Sequence, residues 1–79
     1  MAYDKDKVDE MTLALLWLVM WDDVVGARAW KGFDCETMDR LYQRGLTCDP
    51  RGKAQSAAVT PEGRQKAEEL SRRHFAKDR

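Results

Sequence analysis

The sequence lacks the features that mark several classes of protein. It has two cysteines, two prolines, five glycines and one histidine in 79 residues. Two cysteines are too few for the disulfide framework of a small secreted protein. The low proline and glycine content disfavours disorder, and 43% hydrophobic with 35% charged residues is typical of a globular protein. We therefore expect one folded domain over residues 1–79.

The sequence also has no apolar run long enough to cross a membrane. The longest, Met11–Trp21, covers 11 residues, whereas a bilayer requires about 20. The N-terminal segment is rich in charged residues and does not resemble a secretory signal. These observations predict a cytoplasmic protein with no membrane partner.

Catalytic chemistry has few candidate groups in this sequence. His74 is the only histidine, and no motif links a serine or cysteine to it as a nucleophile. Cys35 and Cys48 do not have a zinc-site spacing. Cys35 falls in the first turn of a predicted helix, where a thiol can be reactive, but a buried apolar role is commoner there. We predict a non-enzymatic protein without metal, cofactor or small-molecule substrate.

The first predicted helix begins after Asp4, which can cap it. Apolar residues fill almost every face up to Trp21, and the acids Asp22 and Asp23, unfavourable at a helix C-terminus, mark its end. A helix that is apolar all round must be buried all round, and a chain this small cannot cover it alone. We therefore expect a homodimer or another protein partner at this helix. The residues assigned to the dimer interface are Leu13, Leu16, Trp17, Met20 and Trp21.

The middle of the chain predicts a short strand followed by a second helix. Val24 and Val25 favour the strand, and Gly26 a bend. Asp34 can cap the helix, and Gly45 supplies the left-handed residue after its end. The predicted buried stripe of this helix is Met38, Leu41 and Tyr42.

The last third of the chain predicts a hairpin and a third helix. The residues 46–48 alternate as in a strand, and Asp49-Pro50-Arg51-Gly52 is typical of a type I turn. Ser56–Val59 supplies the returning strand. Thr60-Pro61 then predicts a cap followed by proline in the first turn of a helix that runs to about Phe75.

Two resemblances follow from these motifs. The segments Asp-Arg-Leu-Tyr-Gln-Arg-Gly-Leu, Asp-Pro-Arg-Gly-Lys and Val-Thr-Pro-Glu-Gly resemble the recognition helix, wing and closing helix of a winged-helix domain. Over its full length the chain resembles a small bacterial family of unknown function, through residues 27–34 and 49–54. The fold class implied is α+β: helix, short strand, helix, β-hairpin wing, helix.

A winged-helix fold would give the protein a nucleic-acid interface. The second helix would enter the major groove of double-stranded DNA, and the wing would meet the phosphate backbone. The candidate contacts are Thr37, Arg40, Gln43, Arg44, Arg51 and Lys53. Against this, the formal net charge is zero, and the segment 22–33 is too short for the supporting helix of a helix-turn-helix plus a strand.

Two functional hypotheses therefore remain open. The first is a protein-interaction or regulatory module that self-associates through helix 1, and the second is a DNA-binding protein that uses helix 2 and the wing. The charge is uneven, with eight acids and four bases in residues 1–38 against six acids and ten bases in residues 39–79. Such a distribution permits a basic binding face, but it equally permits two halves that attract each other. We favour the interaction module.

Overall fold

The helices begin where the sequence places their caps. In the computed structural model, which describes residues 2–24 and 26–77, α1 spans Lys5–Leu18, α2 spans Cys35–Gln43 and α3 spans Pro61–Phe75. Asp4, Asp34 and Thr60 each accept a hydrogen bond from a backbone N–H in the first turn of the helix that follows. No helix in these two stretches is long and apolar enough to span a membrane.

Three antiparallel strands complete an α+β fold in the order helix, strands, helix, hairpin, helix. They are β1 (Met20–Asp23), β2 (Gly26–Trp30) and β3 (Ser56–Val59), and β2 lies between the other two. The prediction of a short strand at Val24 and Val25 was wrong in position, because Val24 lies in the turn between β1 and β2 and Val25 is outside the described residues. Gly26, predicted as a bend, begins β2 with a φ of 135°.

The helix-1 prediction was also too long. α1 ends at Leu18, so Met20 and Trp21 belong to β1 and not to the helix. The backbone N–H of Val19 donates to the carbonyl of Leu16 and closes the helix. Asp22 and Asp23 end β1 instead of the helix, and these charged residues protect the free edge of the sheet from pairing with other strands.

The wing is present in a reduced form. The segment 46–48 makes one bridge, Thr47 to Val59, and the N–H of Cys48 donates to the carbonyl of Ala58 at 2.9 Å. It lies along the edge of β3 that β2 leaves free, so the sheet is extended by a short fourth segment. Along the chain, α2 follows β2, and the 46–48 segment and β3 come after it as a hairpin. This is the winged-helix-like arrangement that the motifs predicted.

The core lies between one face of the sheet and the three helices. Ala27, Ala29 and Val59 contribute from the strands, and α1 packs mainly against α3 and α2. The buried apolar side chains from the helices and the 44–47 connection are Leu13, Ala14, Leu16, Met38, Leu41, Leu46, Ala67 and Leu70. Alanine at the sheet positions lets the helices approach closely, and the leucines fill the remaining space. Tyr42, predicted to be buried, is exposed.

Thr60 joins α3 to the connection that follows α2. Its hydroxyl accepts from the N–H of Gly63 at 2.9 Å and donates to the carbonyl of Gly45 at 2.8 Å. We expect Thr60→Ala to lower the free energy of unfolding by about 1 kcal/mol, because the Gly63 N–H and the Gly45 carbonyl both lose their hydrogen bond to the hydroxyl. Chemical denaturation measures the change. Thr60→Ser, which keeps the hydroxyl, should retain most of the stability; equal losses in both variants would show that the methyl group matters instead.

Candidate interaction surfaces

The centre of the predicted DNA-contact helix is occupied by an internal ion pair. Asp9 of α1 is only 2% exposed and lies against Arg40 of α2, with 2.7 Å between Arg40 Nη2 and Asp9 Oδ1. Arg40 Nε also donates to both Asp9 carboxylate oxygens, at 2.9 and 3.1 Å. The hydrogen bond to Asp9 is the main cause that raises the pKa of Arg40. A guanidinium held in this way serves to join α1 to α2.

Thr37 belongs to the same network. Its hydroxyl accepts from Arg40 Nη2 at 3.1 Å and donates to Asp34 Oδ2 at 2.9 Å, and its side chain is buried. The hydrogen bonds from the hydroxyl and backbone N–H of Thr37 lower the pKa of Asp34 below its ordinary value near 3.8. Thr37 and Arg40, two of the predicted DNA contacts, are thus engaged in hydrogen bonds within the chain.

The other four candidate DNA contacts are exposed. Gln43 and Arg44 lie at the end of α2, and Arg44 Nη1 is 3.5 Å from Asp9 Oδ2. Arg51 pairs with Asp49 at 3.0 Å, and this pairing lowers the pKa of the Asp49 carboxyl. Lys53 is exposed on the same loop. Two of these three cations are thus partly neutralised by acids.

The predicted dimer interface is divided between core and surface. Leu13 and Leu16, which the sequence assigned to the interface, are fully buried in the core of the chain itself. Trp17 and Met20 are partly buried against that core. Trp21, in contrast, is 47% exposed. On α1 the exposed large apolar side chains are Leu15 and Leu18, and Val19, which caps the end of the helix, is exposed as well.

The second face of the sheet carries no helix within the described residues. Ala27 and Ala29 point into the core, so the residues that alternate with them in β2 point the other way. The strand register places Trp21 and Ala58 on either side of Arg28, and Ser56 beside Trp30. We call this surface, made of Trp21, Arg28, Trp30, Ser56 and Ala58, the open sheet face.

Arg28 and Trp30 are both held in place on the open sheet face. Arg28 Nε donates to Ser56 Oγ at 2.9 Å, and Nη2 donates to the Ser56 carbonyl at 3.0 Å. The Trp30 ring covers Gly32, where an added Cβ would lie 2.1 Å from the ring, and it meets Phe33 edge to face with 5.4 Å between centroids. Even so, 46% of Trp30 remains exposed. The face is therefore preorganised and partly apolar.

The groups considered for catalysis are not brought together. Cys35 is exposed at the start of α2, beside a groove of about 290 Å³ that also involves Met38 and Pro50. His74 is on α3, with its Nε2 3.7 Å from Glu10 Oε2. Among the described residues, no three histidine, cysteine or acidic side chains cluster as they would around a metal ion.

Sequence reasoning missed the open sheet face because it assigned Trp21 to a helix. The signal was present in residues 27–30, where Ala27 and Ala29 alternate with the larger residues Arg28 and Trp30. Period-two alternation of this kind is typical of a strand with one buried face. The inward residues of this strand are alanines, which are weak indicators of burial, so the strand was not recognised from the sequence.

Comparisons with known proteins identify a family whose function is unknown. A model described as Domain of unknown function (DUF6429) matches residues 4–77. The chain is similar to a protein described as uncharacterized protein y4hR from Sinorhizobium fredii, with 49% identity over 77 residues that cover 98% of this chain and 100% of that protein. No solved structure matches. The resemblance to a small bacterial family of unknown function is thereby confirmed.

Proposed function

The chain belongs to the DUF6429 family, and we propose that it is a non-enzymatic interaction module of the bacterial cytoplasm that works as a homodimer. The observation that carries this proposal is a group of large apolar side chains that the chain leaves exposed where α1 ends and the sheet begins.

The apolar character of the exposed surface supports the same conclusion. Leu18 is 61% exposed at the end of α1, next to Val19, and Trp21 follows in β1. Exposed apolar groups that are grouped in this way usually mark a binding surface. Tryptophan is also among the residues that contribute most to interface energies. The contact region therefore combines the C-terminal end of α1 with the start of the sheet.

DNA binding has weaker support from the described surface. Thr37 and Arg40 are engaged internally, and Arg51 is paired with Asp49. Affinity for duplex DNA depends on several cations that replace condensed counterions. Titration with duplex DNA at low and moderate salt tests this competing hypothesis, and salt-sensitive binding that Arg44→Glu weakens would favour it over the dimer.

Sedimentation velocity at micromolar concentration tests the proposed homodimer. We expect a species of twice the 9.1 kDa chain mass, and Leu18→Glu should shift it towards the monomer because it places a charge in the apolar contact. Gln43→Glu, a change of similar charge on exposed α2, is the matched control and should leave the dimer intact. A monomer at all concentrations, with native circular dichroism, would contradict the proposal.

A further inference from the structure

The loop between the 46–48 segment and β3 forms one wall of a groove on α2. This loop covers residues 49–55, and all of its residues except Pro50 are exposed. Pro50 and Gly52 of the loop and Cys35 and Met38 of α2 line the groove, whose volume is about 290 Å³. We call residues 49–55 the flap, because they lie against the first half of α2 and outside the core.

A single residue outside the flap holds it in place. Lys31, in the connection between β2 and α2, donates its ammonium group to the carbonyl of Pro50 and, at 3.1 Å, to the carbonyl of Gly52. The backbone N–H of Lys31 donates to the Gln55 carbonyl at 3.2 Å. In residues 2–24 and 26–77, no other residue outside the flap makes a hydrogen bond to it. Lys31 therefore serves as a latch on the flap.

The remaining hydrogen bonds of the flap are internal and can move with it. Arg51 donates to the Asp49 carboxylate through Nε and Nη2, both at 3.0 Å, and through its backbone N–H at 2.9 Å. Across the described part of the chain, the flap contributes no side chain to the core. A local opening costs only the contacts that cross the boundary of the moving segment. For the flap, these are the bonds from Lys31 and the contact with α2.

Both ends of the flap are attached to the sheet. Before the flap, the N–H of Cys48 donates to the carbonyl of Ala58 at 2.9 Å. After it, Ser56 begins β3 and pairs with Trp30 of β2. Neither attachment has to break when the flap leaves α2, so the movement is confined to residues 49–55.

We propose that the flap opens and closes over the groove on α2, with Lys31 as its latch. In the closed state Met38, which lines the groove, is only 3% exposed. Opening transfers the Lys31 ammonium and the carbonyls of Pro50 and Gly52 to water and uncovers the Met38 side chain. The flap thereby controls access to the groove. It works within one chain, so it does not depend on the proposed homodimer.

A lysine is well suited to be a latch that releases. Its ammonium is a compact, strongly hydrated charge on a flexible stem, so water can replace the carbonyls when the flap opens. Hydrogen bonds from a charged donor are also stronger than those between neutral groups. Lys31 therefore favours the closed state without fixing the flap permanently.

Oxidation of Met38 by dilute hydrogen peroxide measures how often the flap opens. Peroxide transfers one oxygen atom to the methionine sulfur and is itself reduced to water, and peptide mass spectrometry gives the rate at each methionine. In Lys31→Leu we expect Met38 to be oxidised about tenfold faster or more, because two hydrogen bonds from a charged donor are lost. Met20 of β1, partly buried against the core, is the internal reference and should keep its rate.

Two further variants and a protease complete the test. Lys66→Leu, on exposed α3, is the matched control and should leave the oxidation of Met38 unchanged, and Lys31→Arg, which keeps a cation, should stay close to the wild type. Brief trypsin treatment should cut within residues 49–55 about tenfold faster in Lys31→Leu than in Lys66→Leu. An unchanged Met38 rate in Lys31→Leu, or a rise that Met20 shares, would overturn the latch.

Discussion

Replacement of Asp9 by alanine is expected to lower the free energy of unfolding by about 3 kcal/mol, because the Arg40 guanidinium, whose side chain is only 24% exposed, loses the buried carboxylate that it bonds. Asp9 is 2% exposed and bonds Arg40 through both oxygens. A protein of this size has a total stability of roughly 4–12 kcal/mol. Urea denaturation should show the midpoint falling by about 2 M.

Two comparisons separate the ion pair from other effects of the substitution. Glu36→Ala removes a second acid that lies 3.5 Å from Arg40, but the Glu36 side chain is 69% exposed. We expect little change from it, since exposed pairs contribute little. The double variant Asp9→Ala/Arg40→Ala should lose less than the sum of its single variants, because removal of both partners leaves no unpaired charge. Full additivity would show that the two side chains act independently.

The local signals of the helices were sufficient to predict their N-termini. Asp4, Asp34 and Thr60 cap α1, α2 and α3 as predicted, since a capping side chain bonds groups only two or three residues away. Gly45 likewise has the positive φ, 77°, that was expected after α2. Each of these features depends on short stretches of sequence.

The features that the sequence did not reveal depend on contacts between distant residues. Asp9 and Arg40 are 31 residues apart, and each alone is indistinguishable from a charged residue on a solvated helix face. The end of α1 was misplaced because Met20 and Trp21 suit a helix and a strand equally well. Pairing with Ala29 and Arg28 decides in favour of the strand, and such pairing cannot be seen in the residues before Asp22.

The sequence predicted a partner surface from the excess of apolar side chains around α1. Of the five residues assigned to that surface, the structure leaves Trp21 exposed. Leu13 and Leu16 were assigned to it because helical periodicity gives relative directions only. Which stripe faces α3 and which faces solvent is set by the packing of α1 against the rest of the chain.

Gly63→Ala is the second substitution for which we expect a large change in the free energy of unfolding. We expect it to destabilise the protein, although helix propensity alone predicts that it would stabilise α3. Alanine is a better helix former than glycine by about 1 kcal/mol. At Gly63, however, a Cβ would lie 1.8 Å from the carbonyl oxygen of Leu46 and 2.7 Å from its carbonyl carbon. Backbone atoms cannot move aside as a flexible side chain does, so we expect a net loss of about 3 kcal/mol in the free energy of unfolding.

The neighbouring contacts explain why this clash cannot be relieved locally. The Leu46 carbonyl accepts the N–H of Thr60 at 3.2 Å, and the hydroxyl of Thr60 bonds both Gly45 and Gly63. A shift of residue 46 would therefore break the cap of α3 and pull Leu46 out of the core. Gln65→Ala, on the exposed side of the same helix, is the control and should change stability by less than about 0.5 kcal/mol.

Thermal and chemical denaturation of Gly63→Ala distinguish close packing from helix propensity. A loss of stability requires that α3 and the 44–47 connection touch at backbone distance, as they do between Gly63 and Leu46. A gain of about 1 kcal/mol, the propensity value, would mean that the connection can withdraw from α3.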